Sequence, residues 1–259
     1  MKATRDRIRQ ASWRGFSLIE LMAVIAILSV VTAAILTQLE QVQQRAVAEQ
    51  GKVDDFQQAR DFLDQISRDT RQMGYPNIRN FSTPTGGWSS SSINDCRLAA
   101  GLVKLTSSQL EFQGDVDGSG NVSVVSYMVN GNGNCSTCIQ RAQVKKFCPA
   151  GDPLTGQSNL TASSYSVEVQ NVKNTSSIFT AYDASGNSIT LPIDITNNAT
   201  SVANVRVIQV SLSIASPNAV DPKTGQQLEA DIGGRVQVLN CSMATTGLVS
   251  ATNIQLTCQ

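Results

Sequence analysis

From Phe16 to Leu36 the chain carries one apolar run whose only charged side chain is Glu20. At 1.5 Å per residue these roughly 21 residues make about 31 Å of helix, which matches the hydrocarbon thickness of a bilayer. The segment is predicted to span a membrane. Five basic side chains, Lys2, Arg5, Arg7, Arg9 and Arg14, precede it against a single acid, Asp6. This asymmetry places the N-terminus in the cytoplasm and the bulk of the chain on the far side, as a single-pass, N-in protein. An acidic residue within such a helix costs roughly 2.5 to 3.5 kcal/mol on insertion scales, so Glu20 calls for a partner. Two simpler readings are a plain anchor and a secretory signal cleaved near Val31-Thr32-Ala33. Glu20, and a helical pattern that continues past Ala33, argue against both.

The run Arg14-Gly15-Phe16-Ser17-Leu18-Ile19-Glu20-Leu21 resembles the class III signal of type IV pilins and of the pseudopilins of type II secretion. Its parts are a short basic leader, Gly before the cut, Phe as the new first residue, and Glu at that residue's fifth position. The resemblance implies cleavage by a prepilin peptidase between Gly15 and Phe16, N-methylation of Phe16, and retention of the apolar helix as a packing element. Charge chemistry agrees with it independently. Cleavage leaves an α-ammonium on Phe16, and methylation keeps it positive, so a cation then shares the low-dielectric zone with the Glu20 carboxylate. Within one chain the two stand at i and i+4; between staggered subunits they meet directly. The resemblance favours the second arrangement, and the residues alone allow both. Principal pilins commonly carry Pro near the middle of this helix. None stands near Thr37 here, which fits a low-abundance subunit.

Past Leu36 the chain has no Pro until Pro76. Phe56, Ala59, Leu63, Ile66 and Met73 recur at three-four spacing, interrupted by Thr70, so an amphipathic helix is predicted to lie on a core over residues 37–74. Gly51 is read as a flexible point or kink, and Gly74-Tyr75-Pro76 as a stop signal.

From about Phe81 the composition turns to Ser, Thr, Asn, Gly and Val, as in an exported β-rich domain. Alternation marks strands at Tyr165-Ser166-Val167-Glu168-Val169 and Arg235-Val236-Gln237-Val238. Between Val205 and Ile214 the phase slips at Val207/Ile208, as a bulge or a central strand would allow. Asp115-Val116-Asp117-Gly118-Ser119-Gly120-Asn121 has the acidic, Gly-bearing character of a calcium loop, with Asp115, Asp117 and Asn121 as candidate ligands. It lacks Glu at the twelfth position, which is Ser126. Between Leu110-Glu111-Phe112 and Val122-Ser123-Val124 it reads first as a hairpin turn, with calcium the minor alternative.

The six cysteines, beside an export signal, are expected to form structural disulfides. Cys135-Ser136-Thr137-Cys138 is a CxxC without the surrounding pattern of a redox motif, and a zinc site from Cys96, Cys135, Cys138 and Cys148 would need four reduced thiols outside the cytoplasm. Cys241 and Cys258 would close a loop of about 17 residues, contributing roughly 3 kcal/mol by chain entropy. Such a loop is similar to the C-terminal disulfide region of many pilins. The other four cysteines allow three connectivities. Arg141, Lys145 and Lys146 form a basic cluster without interleaved aromatics, expected to be a solvated face more than a nucleic-acid contact.

The chain has no His, so His-dependent catalysis and His-ligated metals are excluded. Without the first 15 residues it holds 15 basic and 19 acidic side chains, an acidic balance unsuited to general nucleic-acid binding. The expected fold is therefore α+β and pilin-like, a long N-terminal helix with an antiparallel β-rich domain. Its expected organisation is a cleaved leader at 1–15, a transmembrane and filament-core helix at 16–36, an amphipathic helix at 37–74, and a globular domain at 75–259.

Size, the helix end Arg68-Asp69-Thr70-Arg71-Gln72-Met73-Gly74-Tyr75 and the strand Val205-Arg206-Val207-Ile208-Gln209-Val210 are similar to the minor pilins of the PilW class. That similarity implies a non-enzymatic subunit, without cofactor, that primes or caps a type IV pilus. Its partners would be other pilins, the prepilin peptidase and an inner-membrane assembly platform. Its location would be the bacterial inner membrane before assembly, and a periplasm-facing or surface pilus afterwards. A type II pseudopilin is the first alternative, and a pilus-associated adhesin or DNA-binding tip subunit the second.

Overall fold

The computed structural model describes residues 17–76, 99–129, 135–147, 160–195, 197–220 and 225–239. Its contacts divide the chain into two compact units, Met1–Val47 and Ala48–Gln259. The class is α+β: helix α1 (Leu18–Arg71) comes first, and antiparallel sheets follow.

In the first unit the described residues are helical from Leu18 on, and their large apolar side chains, from Leu18 and Ile19 through Leu36 to Val47, are exposed. An apolar surface of this extent is unfavourable in water and favourable in lipid or against other helices.

The second unit contains the core. Here α1 buries Ala59, Phe62 and Ile66, together with Asp69 and Thr70, and Met73, just past the helix end, joins the same core. Of the stripe foreseen from spacing, Ala59, Ile66 and Met73 are buried and Phe56 and Leu63 are half-buried, while Phe62, not foreseen, is buried with them. Thr70, expected to interrupt it, is buried because its hydroxyl donates to the Ile66 carbonyl at 2.5 Å and needs no outside partner. Gly51 is helical rather than a break; a Cβ there would meet Ser216 Oγ at ordinary contact distance, so packing does not demand glycine at this position. The helix stops where Gly74 takes φ 76°, a left-handed conformation that side-chain-bearing residues avoid.

Six strands form the first sheet, in the order β5 (Tyr165–Val169), β4 (Ile139–Lys145), β3 (Ser123–Val129), β2 (Gln109–Gly114), β1 (Leu102–Leu105) and β8 (Ile193–Asp194). The β2–β3 register runs from Gln109 opposite Met128 to Gly114 opposite Ser123, so residues 115–122 connect a hairpin. Alternation sends Leu110, Phe112, Val125, Tyr127 and Ile139 into one core with Phe62 and Ile66. Each fully buried side chain of this size contributes about 1.5 to 3 kcal/mol. The sheet also joins the end of α1 through backbone. Met73 bridges Gly114, and the Gly74 N–H donates to the Gln113 carbonyl at 2.9 Å.

The second sheet has the order β10 (Gln227–Gln237), β9 (Val207–Val220), β6 (Phe179–Tyr182) and β7 (Ser188–Ile189). Its β9–β10 register is continuous from Val207–Gln237 to Ala215–Glu229. The expected phase slip at Val207/Ile208 is not a bulge in the strand. Val205 is buried from the end of the short helix α2 (Ala199–Asn204), the strand begins at Val207, and Ile208, Val210, Leu212 and Ile214 then alternate inward without a break.

Candidate functional site

Glu20 lies in the first turn of α1, where its backbone N–H donates to the Ser17 carbonyl at 3.0 Å. A carboxylate there is favoured by the partial positive charge of the helix N-terminus. The hydroxyls further along turn inward: Ser29 donates to Ala26, Thr32 to Leu28 and Thr37 to Ala34, at 2.7–2.9 Å. These groups satisfy themselves on their own helix, as polar side chains in an apolar medium must. Among the described residues, the Glu20 carboxylate has no such partner. Gly15 and Phe16 lie outside the described residues.

The α1 helix is long and apolar enough to cross a membrane, with a mean hydropathy of 2.6 over its most apolar window. By length and composition it fits a membrane-anchored segment.

In the second unit α1 is held to the sheet by a buried polar cluster that spacing did not reveal. Asp69 Oδ2 accepts from the Tyr127 hydroxyl at 2.6 Å and from Arg141 Nε at 2.8 Å, with Arg141 Nη2 at 2.7 Å. Asp69 Oδ1 accepts from Gln65 Nε2 at 2.6 Å. Tyr127 and Arg141 are direct neighbours across β3 and β4, so the pleat delivers both to the same face. Phe62 packs edge-on against the Tyr127 ring, with centroids 5.6 Å apart.

Burial, and then the Asp69 carboxylate, push the Tyr127 phenol far above its ordinary value, so it remains a neutral donor. Burial works against the charge on Arg141, but Tyr127 and Asp69 outweigh it and hold the guanidinium above its usual value. The cluster is an ion pair whose lone pairs are well used, the condition under which a buried pair is tolerated. One signal for it was legible: Asp69 is a charge standing in the buried stripe of α1, the same kind of anomaly that singles out Glu20.

This corrects the reading of Arg141, Lys145 and Lys146 as one solvated basic face. Arg141 and Lys145 share a face of β4, but only Arg141 reaches Asp69. Arg141 points to α1, Lys145 is exposed, and Lys146, past the strand end, is buried.

Cys135 and Cys138 are joined to each other in a disulfide. Cys96, Cys148, Cys241 and Cys258 lie outside the described residues. Asp115, Asp117 and Asn121 sit together in the β2–β3 connection. Gly120 N–H donates to Asp115 Oδ2 at 2.9 Å, and Ser119 N–H to Asp117 Oδ1 at 3.0 Å.

The prokaryotic N-terminal methylation motif matches residues 14–36. No curated protein and no solved structure matches the chain. The matched stretch contains Gly15, Phe16 and Glu20 and supports a type IV pilin-like or pseudopilin-like prepilin signal.

Proposed function

We propose that this chain is a minor pilin of a type IV pilus, of the PilW class, which primes or caps filament assembly and has no catalytic role. The observation that carries the reading is the methylation motif over residues 14–36, continued by an apolar helix whose one acid lies in the first turn. In this reading a prepilin peptidase cuts between Gly15 and Phe16 and the new N-terminus is methylated. Glu20 then pairs with that ammonium of a neighbouring subunit, as the membrane helices dock side by side on an inner-membrane platform. A carboxylate in an apolar stretch, without a partner among the described residues, supports this, because the energetic cost of a charged Glu20 is relieved when a cation reaches it.

Mass spectrometry of the N-terminal peptide, with and without the prepilin peptidase, is the direct test. A methylated Phe16 that depends on the peptidase is expected; a mature N-terminus at Ala34 would overturn the proposal. Glu20→Ala is expected to leave membrane insertion intact and to impair incorporation into filaments. Deletion of the gene separates the two machines: loss of surface filaments supports the minor pilin, whereas intact pili with blocked protein secretion support a pseudopilin.

A further inference from the structure

We propose that the β2–β3 loop, Asp115 to Asn121, binds a calcium ion through the carboxylates of Asp115 and Asp117. Asp115 is 7% exposed, and its Oδ1 is buried without a hydrogen-bond partner. A buried, unpaired carboxylate oxygen is costly, and a cation is the partner that removes the cost.

Two other Asp-led loops of the same unit show what a self-sufficient turn looks like. Asp183 accepts from the backbone of Ser185 and Asn187 and from the Asn187 side chain, using both oxygens. Asp194 likewise uses both oxygens on Asn197. Asp115 does not close on itself: Gly120 takes Oδ2 and leaves Oδ1 free. Asp117, two residues on in the same loop, accepts from the Ser119 N–H through Oδ1 at 3.0 Å. Two carboxylates of one loop, one with a buried free oxygen, form an anionic site for a hard cation. Gly118 and Gly120, at φ 67° and 78°, allow the backbone to curl around it.

The donor set is small. Among the described residues no three Asp, Glu or Cys side chains converge, and Ser126, at the twelfth position, is buried on β3 against Tyr165. Loop carbonyls and water must complete the shell. This places the affinity in the weak range, a Kd of about 10⁻⁴ to 10⁻³ M. Calcium is preferred over magnesium because it accepts an irregular, flexible shell of oxygens. The loop is also tied to the end of α1, since Asp115 N–H donates to the Tyr75 carbonyl at 2.8 Å. Binding would therefore stiffen the junction between α1 and the first sheet.

The test uses the full chain in detergent, stripped with EDTA and titrated with calcium chloride by calorimetry and by thermal unfolding. One calcium per chain is expected, with an unfolding temperature that rises on saturation and does not rise with equal magnesium. Asp117→Asn, at an exposed position, is expected to keep the calcium-free unfolding temperature and to weaken binding at least tenfold. No heat and no thermal shift with excess calcium would overturn the proposal, as would an equal response to magnesium or wild-type affinity in Asp117→Asn. None of these readouts depends on filament assembly.

Discussion

Asp69 and Glu20 are both acids in helical positions that otherwise bury or expose apolar surface, yet they resolve the problem differently. Asp69 finds its donors inside the chain, at Tyr127 and Arg141. Removing it leaves a buried guanidinium and a buried phenol unpaired, so Asp69→Ala is expected to destabilise the protein by about 3 kcal/mol. The value belongs at the low end for a buried pair because the Arg141 side chain is 16% exposed and partly reaches water. Urea unfolding checks it, and adding Arg141→Met and Tyr127→Phe should restore much of the loss.

Glu111, on the opposite face of β2, has a different sign. Burial holds its carboxyl above the usual range, and Lys104 offsets this only in part. A raised folded-state value means that the folded chain keeps this proton to higher pH than the unfolded chain does. Its contribution to stability is therefore fully present below the unfolded value and is lost as pH rises through the folded one. Glu111→Gln should flatten that decline, read as urea midpoints as pH rises above the ordinary carboxylate range, and should be at least as stable as the parent at neutral pH.

At the level of elements, the junction between α1 and β2 depends on one glycine. A Cβ on Gly114 would lie 2.4 Å from the Gln72 carbonyl oxygen, closer than atoms can approach, and the obstacle is backbone that cannot swing away. Gly114→Ala is expected to cost about 1 to 3 kcal/mol, as overpacking does, and to expose the helix end to protease. Differential scanning calorimetry with limited proteolysis would detect both. Elements with strong local periodicity were legible in the chain. β5 coincides with the alternating Tyr165–Val169, and the buried face of α1 follows the three-four spacing of Ala59, Phe62 and Ile66. The small helix α2 was not legible. Six residues make too short a period, and its neighbour Val205 imitated a bulge in β9.

For the molecule as a whole, every buried residue of the main apolar core lies at Ala59 or beyond, and the described apolar residues of the first unit are exposed. A fragment beginning at Ala48 is therefore expected to be soluble without detergent and to unfold cooperatively at the temperature of the full chain. Circular dichroism on heating tests this; aggregation, or a markedly lower midpoint, would show that residues before Ala48 help hold the core.

What the sequence determined by itself is local: the prepilin-type signal around Gly15, Phe16 and Glu20, a helix apolar enough to enter a membrane, and strands whose period is two. These are legible because composition and periodicity act over a few neighbouring residues. What only the tertiary structure decided is which distant residues meet. Asp69 reaches Tyr127 and Arg141 across 58 and 72 positions of sequence, Gly114 admits the Gln72 carbonyl, and Asp115 is buried with one oxygen unpaired. Buried polar groups must be satisfied wherever the fold brings them, and the fold, set by the summed burial of a whole core, assigns their partners.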